Sequence, residues 1–193
     1  MSMIRNQALI NYISENIAMI EQLSNQNLEN FAKEILQNCT KRDFTLWIVG
    51  NGGSAANASH ASCDISKGVS ELTGFSIRAI CLNDMQYSIS AWENDYSHTL
   101  AFRKTLEIFL RPGDTVLYIS GSGRSQNIIC AADYSTSRGD IKNFSMTGFD
   151  GGELKKLVPK GIHVNSHDMQ VIENIHLICI HWIYKYWQVT QQS

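Results

Sequence analysis

Apolar residues near the N-terminus recur at helical spacing: Ile10, Ile13, Ile17, Ile20 and Leu23 fall three and four positions apart. That period predicts an amphipathic helix over 9–23. A polar break at 24–27 follows, and Leu28, Phe31 and Ile35 predict a second helix. From residue 44 the pattern shortens into β-rich runs at 44–49, 77–82, 115–119, 143–147 and 162–164. The windows between and after them predict helices near 54–67, 97–110, 126–138, 151–157 and 169–188. Such alternation points to an α/β fold, a five-stranded parallel sheet with helices on both faces and a helical arm over 1–42 in front of it. No linker, low-complexity tract or fixed-period repeat divides the chain, so 1–193 reads as a single domain. The apolar stripe of the arm needs a cover, either its own domain or another copy of the chain.

Composition narrows the choice of function. With 193 residues, 44% of them hydrophobic, and only two prolines, the chain can bury a sizeable core. Sixteen basic and eighteen acidic residues, with no long block of one sign, leave no electrostatic footprint for nucleic acid. The N-terminus lacks a signal-peptide pattern, and no apolar run reaches about 18 residues, so the expectation is a cytoplasmic protein with no membrane partner. The five cysteines are widely spread without a Cys-x-x-Cys pair and read as buried or unpaired thiols.

In a doubly wound sheet, ligands bind outside the carboxyl ends of the strands. Two of the segments found there carry chemistry. After the first strand come Gly50, Asn51, Gly52, Gly53 and Ser54; after the third come Ser120, Gly121, Ser122, Gly123, Arg124 and Ser125. Glycines let a backbone approach a ligand closely, helix N-termini favour anions, and serines donate to phosphate oxygens. An ordinary Gly/Ser turn with a helix cap is the plainer reading of either loop alone, but two in equivalent places argue for a phosphate cradle. The Walker A ending is missing, and neither loop reads Gly-x-Gly-x-x-Gly with an acidic residue about twenty positions on. Nucleotide hydrolysis and dinucleotide redox chemistry are disfavoured, which leaves the phosphate of a small ester.

Two helices hold possible metal ligands. His60 and Asp64 are four residues apart and share a helix face, as two ligands of one ion or as a plain surface pair. In the last helix Glu173, His176 and His181 sit among apolar residues and need partners. Glu173 and His181 are separated by roughly 12 Å along the helix axis, so their side chains only just reach a common point.

Taken in order, the segments GNGGSAANASH (50–60), ENDY (93–96), RPGD (111–114), SGSGRS (120–125), TGFDGG (147–152) and IENIHL (172–177) resemble the landmarks of the sugar isomerase (SIS) domain family. The similar branch is that of the phosphoheptose isomerases, which interconvert sedoheptulose 7-phosphate and D-glycero-D-manno-heptose 7-phosphate. The resemblance spans about 1–188. It implies an SIS-type three-layer α-β-α fold, with Asn51, Gly52, Gly53, Ser54, Ser120, Gly121, Ser122 and Ser125 around the sugar phosphate, with Asn94 and Asp95 facing its hydroxyls, and with Asp64 and Glu173 also among the substrate-binding residues. It also implies a zinc ion, or another divalent first-row metal, one per subunit. The family's ligand positions fall on His60, Asp64, Glu173 and His181, and its general base and proton shuttle fall on Asp64 and His181. A homotetramer is implied as well, with the arms packed together and each site completed by neighbouring subunits.

Three departures stand out. The family's Glu on the first helix is Asp64 here, its Gln ligand is Glu173 with Gln170 one turn earlier, and Arg124 adds a positive charge beside the second loop. A His, Asp, Glu, His set remains a competent ligand set for a divalent ion. A related branch promotes replication initiation by binding the initiator DnaA, without isomerising anything. Such a non-catalytic sugar-phosphate binder, or an isomerase of a different sugar phosphate, is the alternative. Retention of His181 favours the enzyme. His98, His163 and His167 read as surface or cap residues, and Trp182, Tyr184, Tyr186 and Trp187 as packing.

Overall fold

Side chains along the central strands alternate between two apolar layers. The computed structural model describes residues 2–23, 28–39, 41 and 43–190, with the side chains of 2–5 left aside. In β1 (Thr45–Gly50), Leu46 and Ile48 face one layer while Trp47 and Val49 face the other. In β3 (Thr115–Ser120), Leu117 and Ile119 oppose Val116 and Tyr118 in the same way. A strand buried on both faces reads as a continuous apolar run, which is why these two were legible as strands. With β2 (Arg78–Cys81), β4 (Lys142–Thr147) and β5 (Gly161–His163) they form one parallel sheet of order β2-β1-β3-β4-β5.

One layer is built by α1 (Ser2–Leu23), α2 (Leu28–Ile35), α3 (Gly53–Cys63) and α9 (Met169–Thr190). The opposite layer is built by α6 (Ala101–Phe109), α7 (Gln126–Ser137) and α8 (Gly152–Leu157). No helix among the described residues is long and apolar enough to cross a membrane. All five cysteines are free.

Three expectations need amendment. The helix expected to end at 67 continues to Thr73, but as α3, then a π-helical segment Asp64–Val69, then the short α4 (Ser70–Thr73). An additional helix, α5 (Gln86–Asp95), precedes α6; none of its residues is buried, so no apolar period marked it. The helix expected from 97 starts at Ala101. The polar break at 24–27 lies outside the described residues.

The arm is held to the domain by polar contacts. Asn174 donates to Tyr12 Oη at 2.6 Å and to Asn16 Oδ1 at 3.0 Å, and Ser166 donates to Glu15 at 2.6 Å. Of the predicted apolar stripe only Leu23 is buried; Ile10, Ile13, Ile17 and Ile20 remain exposed, together with Leu9.

Candidate active site

The strand order reverses between β1 and β3, and there the loops that leave their carboxyl ends diverge to opposite faces of the sheet and open a crevice. A cavity of about 260 Å³ occupies it, lined by Asn51, Gly52, Gly53, Ser54, Ser120, Gly121, Ser122, Ser125, Met169 and Glu173. Both Gly/Ser loops thus meet in one pocket, as their topological equivalence required. Gly52 caps α3 without a side-chain hydrogen bond, and the N–H groups of Gly53 and Ser54 find no acceptor among the described residues. The hydroxyls of Ser54 and Ser125 likewise have no hydrogen bond to the described residues. Donors at the positive end of an eleven-residue helix suit an anion.

Glu173 enters this pocket from α9. A Cβ on Gly53 would meet its carboxylate, so glycine at the start of α3 lets the Glu173 carboxylate occupy this position. Met169, one turn earlier on α9, was missed by sequence reasoning; its sulfur packs against Gly121, and only its place at the start of the last helix hinted at it.

Farther along the same two helices lies a second cluster. His60 Nε2 is 3.3 Å from Asp64 Oδ2, His181 Nε2 is 3.9 Å from that same oxygen, and the two imidazole nitrogens are 3.1 Å apart. A tetrahedral ion bound at about 2.0–2.1 Å spaces its ligand atoms by roughly 3.3 Å, so this trio fits a first-row divalent metal. Three protein ligands with a fourth position open is also the arrangement of catalytic zinc sites. Asp64 opens the π-helical segment, a wide turn of the kind that often re-aims side chains at functional sites. One turn on, Gly68 lets the Tyr184 ring pack against it, and this close approach holds α9, and with it His181, beside Asp64.

Not every expected residue joins these two groups. Glu173, expected both at the substrate and as the fourth ligand, stands with the Gly/Ser loops and outside the His60, Asp64, His181 group. Asn94 and Asp95 lie at the exposed end of α5, where Asn94 donates to Asp95 Oδ1 at 3.0 Å; Asp95 lines a different hollow with Trp92 and Phe109. Arg124, expected beside the phosphate loop, is paired with Asp150 at 2.5 Å and does not line the pocket. The Gly152 N–H and then Arg124 hold the Asp150 carboxyl below its ordinary range.

His98 is more than a surface residue. Its Nε2 is 3.0 Å from the amide of buried Asn127, and Asn127 pairs with Asn51 of the pocket.

Comparison with known proteins agrees with this geometry. The SIS domain family pattern matches residues 10–142. A phosphoheptose isomerase of Crocosphaera subtropica is 37% identical over 138 residues, 72% of this chain and 69% of that protein. A probable phosphoheptose isomerase of Thermoplasma volcanium is 30% identical over 175 residues, 91% of this chain and 88% of that protein. Among solved structures, the phosphoheptose isomerase of Neisseria gonorrhoeae superimposes with a TM-score of 0.82 at 26% identity, covering 95% of this chain and 98% of that one. A serine-lined crevice at the strand switch point, a His-Asp-His trio on the flanking helices and these similarities together place the chain in the SIS domain family, among the phosphoheptose isomerases.

Proposed function

We propose that this protein is a metal-dependent aldose–ketose isomerase that converts sedoheptulose 7-phosphate to D-glycero-D-manno-heptose 7-phosphate. The observation that carries the reading is the shared scaffold of its two sites. α3 starts in the serine pocket and reaches His60 six residues after Ser54, while α9 passes from Glu173 in the pocket to His181 in the trio. A phosphate anchored at one end of both helices leaves the carbonyl end of an open-chain sugar beside the other, so anchoring energy orients the reacting carbons.

Ser54, Ser120, Ser122 and Ser125 hold the phosphate in this reading, together with the first N–H groups of α3. Asp64 takes the proton from the carbon next to the carbonyl: its Oδ2 faces both imidazoles, which leaves Oδ1 for the proton. The proton returns to the neighbouring carbon by way of the enediol, while His181 moves a proton between the two oxygens through Nδ1, the ring nitrogen that the trio does not use. Only protons change place, so no co-reactant is needed. His60, Asp64 and His181 would hold the divalent ion, zinc by the chemistry of the set, which when bound supplies positive charge to the substrate oxygens. The exposed stripe of the arm serves the homotetramer that the family resemblance implies.

The test is incubation of metal-replete protein with sedoheptulose 7-phosphate, following aldose phosphate by NMR, beside an EDTA-treated sample. Turnover that chelation abolishes is expected. Asp64→Asn is expected to lower turnover by about 10²–10⁴-fold while sugar-phosphate binding persists. Full rate in Asp64→Asn removes Asp64 as the base; binding without turnover in the wild type points to the non-catalytic binders.

A further inference from the structure

A hydrogen-bonded chain runs from the surface into the pocket, and its polarity is fixed by one backbone group. The Ile128 N–H lies 2.9 Å from Asn127 Oδ1. A backbone N–H only donates, so this branch of the Asn127 amide is its oxygen and the other is its NH2. One hydrogen of that NH2 goes to Asn51 Oδ1 at 3.1 Å, and the other faces His98 Nε2 at 3.0 Å. His98 Nε2 therefore accepts, and the ring proton sits on Nδ1, 2.6 Å from Glu93 Oε1. Asn51 returns a hydrogen bond from its Nδ2 to Asn127 Oδ1 at 2.9 Å. Its orientation is thereby set too, and its second N–H is left over in the pocket it lines.

The links come from separate parts of the chain: Glu93 from α5, His98 from the connection to α6, Asn127 from the first turn of α7, and Asn51 from the loop after β1. Asn127 is 2% exposed, so its amide hydrogen depends on the acceptor that His98 supplies. We infer that His98, oriented by Glu93, is a positioning residue of the sugar-phosphate site, holding Asn51 through Asn127 so that Asn51 presents an N–H to oxygens of the bound ligand. The inference rests on the pocket being the sugar-phosphate site proposed above.

His98→Leu removes the acceptor, whereas His98→Gln can bring an amide oxygen to the place of Nε2. Binding of sedoheptulose 7-phosphate by calorimetry and KM by the NMR assay are expected to weaken about tenfold in His98→Leu, the size of one lost hydrogen bond. Little change in kcat is expected, and His98→Gln is expected to stay within about twofold of wild type. Zinc content and thermal midpoint should match in all three proteins. Equal affinity in wild type and His98→Leu overturns the inference, as does an equal loss in both variants. Side-chain amide NMR of Asn51 and Asn127 separates this from the catalytic reading, because it needs no substrate. Resonances shifted by His98→Leu and restored by His98→Gln support the chain even if wild type does not turn sedoheptulose 7-phosphate over. Unshifted resonances refute it even if wild type does.

Discussion

The carboxylates at the two ends of the β3 strand are treated in opposite ways. At its amino end Asp114 is fully buried, and its carboxylate accepts from Thr45 N–H at 2.8 Å, Trp47 Nε1–H at 3.0 Å and Arg111 N–H at 2.9 Å. At its carboxyl end the Glu173 carboxylate, the Ser54 and Ser125 hydroxyls and two N–H groups of α3 have no hydrogen-bond partner among the described residues. Polar groups removed from water by folding need partners within the fold. The groups at the carboxyl end are not cut off from water: they face an open cavity, where solvent serves them until a ligand takes its place. The first arrangement ties β1 to the turn before β3; the second leaves its groups facing an open pocket.

The largest expected effect probes the satisfied carboxylate, Asp114. Asp114→Ala leaves three donors without their acceptor, two of them on β1, and should cost about 3–5 kcal/mol in a urea titration. A loss below about 1 kcal/mol would break the contrast. Nearly as large is the acid response of His176, fully buried on α9, whose Nε2–H donates to the Thr147 carbonyl at 3.2 Å while Nδ1 has no partner among the described residues. Burial holds its pKa down to about 4, below the ordinary 6.5. As pH falls from about 6.5 towards 4 the unfolded chain gains a proton that the folded one refuses, so stability is full above this window and lost through it. The loss amounts to about 3 kcal/mol from this group. His176→Gln should flatten that part of the stability profile; an unchanged slope would assign it to other groups.

How much of this was legible in the sequence depends on the kind of signal. The doubly buried strands showed as apolar runs, and the two Gly/Ser loops showed because glycine and serine cluster where a backbone must approach an anion. Their meeting in one pocket followed from the parallel order. α5 was illegible because it buries nothing. The π-helical turn at Asp64 has no apolar period to betray it, although His60 and Asp64 kept their i,i+4 relation. Glu173 was readable as a polar residue in an apolar helix, but which site it serves depended on rotation about α9. His98 looked like any exposed histidine, since its partner Asn127 lies 29 positions away.

A smaller effect sharpens the reading of the pocket end. Gly53→Ala places a methyl group where the Glu173 carboxylate stands. The carboxylate is the far end of a flexible side chain and can swing aside, so urea stability should change by less than about 1 kcal/mol. The displaced group crosses the pocket, and affinity for sedoheptulose 7-phosphate should fall about tenfold, roughly 1.4 kcal/mol. Calorimetry beside the urea titration checks both. Lost stability with retained affinity would mean that Gly53 serves the fold, as Asp114 does.

The smallest effect bears on Glu173. Among the described residues no Lys or Arg side chain lines the pocket, so under the proposed function this carboxylate is the charged lining group that a bound phosphate meets, and it repels the phosphate. Glu173→Gln keeps the shape, restores the residue that the family resemblance expects, and should tighten inorganic phosphate binding by about fivefold at low salt, roughly 1 kcal/mol. The gain should shrink as ionic strength rises. If His60, Asp64 and His181 suffice as ligands, zinc stoichiometry in Glu173→Gln stays at the wild-type value. Tighter phosphate binding with unchanged zinc places Glu173 among the groups that tune the anion pocket. Unchanged phosphate binding with lost zinc would show instead that the carboxylate turns along α9 to complete the metal site, and that its lack of partners in the pocket is a resting position.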